Sequence, residues 1–181
     1  MKLTLLPLLC LACAAHAAPA PNQLTISGAL QHYLAERGDL CVGKFDWPIA
    51  VGAQDRDAGS RDALQMPVLE KLGMVVGERD GETTRYALSE AGKKFYIKRR
   101  EGKADFCAGK IKLKKVVRWT PPDAAGETTV SYTYTIAAAP WTRDSAAQQV
   151  FPMVDRVVKG QGSLQLTQRL KWLHRRWVAV L

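Results

Sequence analysis

The 181-residue sequence predicts an α+β fold, with helices and a hairpin in its first half and an antiparallel β-sheet with one packed helix in its second. Three observations carry this reading. Apolar residues recur at helical spacing from Ile26 to Leu34 and again from Leu64 to Leu72. Asp80-Gly81 stands between two extended runs, which signals a hairpin. From Thr129 to Ile136, apolar and hydroxyl residues alternate strictly, so Val130, Tyr132, Tyr134 and Ile136 should face a core while the threonines face outward.

Residues 1–17 read as a signal peptide. Lys2 precedes an apolar run from Leu3 to Ala15, and Ala15-His16-Ala17 supplies the small-x-small pattern cut by a signal peptidase. Pro19, Pro21 and Asn22 stop the run before the roughly 20 residues that a membrane anchor needs. Leu11-Ala12-Cys13 resembles the end of a bacterial lipobox. Cys13 is thus a candidate lipidation site, and a membrane-tethered lipoprotein is the alternative to a soluble periplasmic or secreted product. Residues 18–23 form a flexible leader, 24–103 a helix-rich subdomain and 104–181 an antiparallel sheet subdomain.

Within that frame, Thr25 or Ser27 can cap the first helix, and Gly38 stands where a left-handed terminator belongs. Leu40 to Val42 and Phe45 to Val51 read as extended, with Pro48 confined to an edge or a strand end. Residues 52–60 form a loop, Ser60 caps a second helix, and Pro67 forces a kink or restart in it. The hairpin follows, then a short helix from Ser89 to Tyr96. Lys110 to Trp119 forms a strand with Ile111, Leu113, Val117 and Trp119 on one face. After a loop over 120–126, Ser145 to Lys159 carries Ala146, Val150, Met153 and Val157 at helical spacing, with a kink at Pro152. Leu164 to Trp172 and Arg176 to Leu181 close the chain as two strands.

The run Met66-Pro67-Val68-Leu69-Glu70-Lys71-Leu72-Gly73-Met74-Val75, a polar hairpin, and then Tyr86-Ala87-Leu88-Ser89-Glu90-Ala91-Gly92-Lys93-Lys94 resembles the winged-helix segment of MarR-type and PadR-type regulators. The resemblance covers residues 66–94 and implies a winged-type helix and hairpin. In such regulators the helix before Gly73 would enter a major groove while Arg79 and Arg85 held phosphates. Here Glu78, Asp80 and Glu82 make the wing tip acidic, which repels phosphates, so no DNA partner is expected. The chain as a whole is similar in pattern to small exported bacterial proteins of unknown function.

The formal net charge is +9, and removal of residues 1–17 costs only Lys2, leaving +8. That balance favours an anionic envelope component or an acidic protein as partner. Its carriers form a candidate anion-binding surface: Lys110, Lys112, Lys114 and Arg118 on one strand, and Arg169, Lys171, Arg175 and Arg176 beside Trp172 and Trp177 on the last two. Cys41 and Cys107 remain after cleavage, in the similar settings Cys41-Val42-Gly43-Lys44 and Cys107-Ala108-Gly109-Lys110, and are expected to form one disulfide. His32 and His174 lack close ligand partners. The acidic run from Asp55 to Asp62 puts Met66 where a calcium loop needs glutamate, so neither a metal nor a cofactor is implied. No nucleophile elbow or Ser-x-x-Lys motif is present. The expected role is a non-catalytic binding or interaction protein of the bacterial envelope. A small envelope hydrolase with a dispersed active site is the alternative.

Overall fold

The computed structural model describes residues 18–98 and 103–180; the expected signal peptide of residues 1–17 and the candidate lipidation site Cys13 lie outside them. The first helix, α1 (Gln23–Arg37), is capped by Asn22, not by Thr25 or Ser27. The Asn22 side chain accepts from the Thr25 amide at 2.9 Å, and the Asn22 amide returns a bond to the Thr25 hydroxyl at 3.2 Å. This reciprocal box starts the helix earlier than a lone hydroxyl at Thr25 would. Gly38 ends it at φ −78°, so the expected left-handed terminator is absent. Glycine stands there for lack of room: a Cβ would lie 2.3 Å from the Leu34 carbonyl oxygen and 2.7 Å from that of Ile111.

Next come β1 (Asp39–Cys41) and β2 (Ile49–Val51), the latter an edge strand that begins directly after Pro48. The segment expected to be a loop contains α2 (Ala53–Asp57), because the Asp55 carboxylate accepts from the Gly52 amide at 2.9 Å and caps one turn. Ser60 caps α3 (Arg61–Lys71), which continues through Pro67. Its buried face is Gln65, Met66 and Leu69, whereas Leu64 is exposed. The hairpin of β3 (Val75–Asp80) and β4 (Thr83–Leu88) turns at Gly81. The helix expected to reach Tyr96 is one turn, α4 (Glu90–Lys93), and Tyr96 opens β5 (Tyr96–Ile97).

The second half holds β6 (Asp105–Trp119), β7 (Glu127–Ala138), β8 (Gln165–Leu173) and β9 (Arg176–Ala179). Between β7 and β8 a 3₁₀ turn (Pro140–Arg143) comes first, and the kinked helix expected over Ser145 to Lys159 is two short helices, α5 (Ser145–Val150) and α6 (Pro152–Lys159). Pro152, which has no N–H to give, is the first residue of α6. The break moves burial to Ala147, Phe151 and Val154 and leaves Met153 exposed.

Every described strand pairing is antiparallel. One sheet runs β2-β4-β3; the other runs β1-β6-β7-β8-β9, with β5 also on β6. In β7 the inward side chains are Val130, Tyr132, Tyr134 and Ile136, as the alternation predicts. In β6 the predicted face holds at Ile111, Leu113 and Trp119, which are partly buried against a core, and fails at Val117. Register shifts between Leu113 and Lys115 and between Val116 and Arg118 each add a residue, so Val116 is buried while Val117 is 42% exposed.

Two apolar cores hold these layers. One joins Val51, Met66, Leu69, Val75 and Tyr86 of the first half to Phe106, Ala108, Ile136, Trp141 and Phe151 of the second. Its centre is aromatic, with Phe106 5.6 Å from Trp141 and Trp141 5.3 Å from Phe151 between ring centroids. The other packs Ile26, Leu30 and Leu34 of α1 against Val116, Val130, Tyr132, Leu170 and Trp177. Cys41 and Cys107, opposite one another on β1 and β6, form the expected disulfide.

Candidate groove between the first helix and the last hairpin

The expected basic surface divides once its charges are placed. Lys110 donates to the Ala35 carbonyl at 2.7 Å and pairs with Asp39 at 3.2 Å, so it ties the end of α1 to β1. Arg169 and Lys171 converge on Glu127 at 3.4 and 3.2 Å. Those partners lie far away in the chain, which is why the lysine and arginine pattern alone could not show that these three are engaged. Lys112, Lys114 and Arg118 are exposed along β6. Arg175 and Arg176 stand apart, at the β8–β9 turn, and line a groove of about 420 Å³ between that hairpin and α1.

The hairpin builds one side of this groove. Leu173 pairs with Arg176, so His174 and Arg175 form a two-residue turn, and both have positive φ, 49° and 64°. Such turns ordinarily take Asn-Gly or Asp-Gly, because other residues crowd their own carbonyls in the left-handed region. A two-residue turn brings Trp172 directly opposite Trp177, and their rings meet at 5.5 Å. Trp177 is buried against α1, while Trp172 is half-buried at the groove.

The α1 side is a stripe next to its buried one: Thr25, Ala29, His32 and Glu36, with Tyr33 behind. His32 Nδ1 lies 3.9 Å from the Glu36 carboxylate. Gly28 leaves the wall open, since a Cβ there would meet nothing within 4 Å. In the core that α1 shares with β7, burial pushes the Tyr132 hydroxyl up to about 12, with smaller contributions from Tyr33 and Tyr134. The arginines and tryptophans are legible in the sequence, whereas this wall is not. Its signal was present in the three- and four-residue spacing of polar and small residues beside Ile26, Leu30 and Leu34.

Set against family models, curated proteins and solved structures, the chain matches none. Among the described residues no cluster of three or more potential metal ligands occurs, and no helix is long and apolar enough to cross a membrane.

Proposed function

We propose that this chain is an exported bacterial envelope protein that binds an anionic partner without catalysing a reaction, and that it does so at the groove between α1 and the β8–β9 hairpin. The signal-like residues 1–17 and the Cys41–Cys107 disulfide support export. Arg175 is the observation that carries the binding reading. A bulky cation occupies a left-handed turn position where glycine would be easier, and its neighbours at the groove are another arginine and two tryptophans. The cost of order 1 kcal/mol at such a residue is explained if the side chain, not the turn, is what matters.

The unit of β2, α2, α3 and the β3–β4 hairpin is read as winged in type, a reading supported by its strand order β2-β4-β3. Its exposed tip carries Glu78, Asp80 and Glu82, so it serves as scaffold and not as a DNA reader.

Tryptophan fluorescence during titration with a polyglutamate probe tests the proposal. Arg175→Gly and Arg176→Ala should each weaken binding by about fivefold or more. Binding should also fall as salt rises from about 0.05 to 0.5 M. Arg175→Gly should keep or raise the melting temperature, which separates recognition from folding. Affinity that ignores both substitutions, or ignores salt, refutes the proposal.

A further inference from the structure

Strand β9 is the last of its sheet, and among the described residues only β8 pairs with it. The Val180 amide donates to the Arg169 carbonyl at 3.0 Å. Given the β8–β9 register, Val178 and Arg176 then bond toward β8 as well, because bonded and non-bonded pairs alternate in an antiparallel ladder. The Trp172 amide, which donates to Gly126 on the far side of β8, agrees with this phase. Trp177 and Ala179 therefore turn their N–H and C=O groups away from the sheet. The groove is lined continuously from Arg175 to Ala179, so it follows this free edge. Edges are commonly blunted by a covering element, by proline or by a lysine; none of the four β9 residues is proline or lysine, and α1, which packs against β9, stands across the groove from this edge.

We propose that the groove accepts an extended acidic segment of another protein as an additional strand on β9. This rests on the anion-binding reading above and names the partner's chemistry. The outward groups of Trp177 and Ala179 supply the main-chain bonds, and Arg175 and Arg176 select carboxylates. A second copy of this chain is disfavoured, because edge-to-edge pairing of two β9 strands would bring Arg176 of each copy to one interface in a protein of net charge +9. An acidic glycan would have only the half-buried Trp172 to stack on, because Trp177 is 5% exposed.

The probe is the capped heptapeptide Glu-Val-Glu-Val-Glu-Val-Glu, used unmodified and with N-methyl groups on either alternate set of amides; an oligogalacturonate serves as the anionic glycan. One methylated set should lose about tenfold or more in affinity while the other binds like the parent, since only one set faces β9. Ala179→Pro removes an N–H that faces away from β8, so it should keep its circular dichroism and melting behaviour while losing peptide binding. Equal binding of both methylated peptides overturns strand addition; anion binding survives that result if Arg175→Gly still weakens affinity. Arg175-dependent binding of the glycan without the peptide also overturns it. A concentration-dependent dimer abolished by Ala179→Pro would assign the edge to self-pairing and refute the proposal. Binding of neither probe overturns both readings.

Discussion

Replacing Cys41 and Cys107 together by alanine opens a loop closed across 66 positions. Chain-entropy loss in the unfolded state makes a cross-link of that span worth about 4 kcal/mol. A domain of this length shifts its melting temperature by roughly 2–4 °C per kcal/mol, so the double variant should melt about 8–16 °C lower than the oxidised protein. The loss should be felt first at β1, because among the described residues its three residues pair only with β6 and the bond anchors its final residue there. Thermal unfolding followed by circular dichroism measures this, with wild type in reductant as a second route to the open form. A fall of less than about 4 °C by both routes would refute the loop-closure reasoning for this protein.

A Cβ at Gly92 would lie 1.9 Å from the Met74 carbonyl oxygen, a backbone atom that cannot swing away. Gly92→Ala should therefore cost about 3 kcal/mol or more, read as a lower urea midpoint, and an unchanged midpoint would contradict the close approach of α4 to Met74. Tyr132 predicts a dependence on alkaline pH. Its hydroxyl, raised to about 12 by burial first and by Tyr33 and Tyr134 second, stays protonated in the folded state after the unfolded chain begins to lose that proton near 10. The stabilisation is complete below the unfolded value and is lost as pH rises through the folded one. Urea midpoints at roughly pH 9 and 11 should fall less steeply in Tyr132→Phe than in wild type. Equal slopes would remove Tyr132 from the account.

The alternation of β7 was readable because one buried face imposes a period of two from Val130 to Ile136. The face of β6 was readable at Ile111, Leu113 and Trp119 but not at Val117, because an inserted residue carries no local mark. Val116 and Val117 are the same residue type, and only the register against β7 decides which one turns inward. Pro152 was read as a kink because its ring clashes inside a helix, but a first-turn position satisfies the same constraint at less cost. The capping competition at α1 was won by Asn22, whose carboxamide is a stronger cap than the hydroxyl of Thr25 and instead recruits that hydroxyl. For the groove, Arg175, Arg176, Trp172 and Trp177 were legible as cations beside aromatics on a terminal hairpin. Their setting against His32 and Glu36 was not, since it depends on contact between widely separated parts of the chain.

That same contact between α1 and β9 sets a timetable for folding. Ile26, Leu30 and Leu34 are made first, whereas Val130, Leu170 and Trp177, which cover them, follow roughly a hundred residues or more later. The apolar stripe of α1 therefore stays partly uncovered until Trp177 has been made, and its core closes no earlier. A chain with such long-range closure folds slowly and is vulnerable to aggregation while it waits. Under the export proposed above, closure this late would leave the chain open while it crossed a secretory channel.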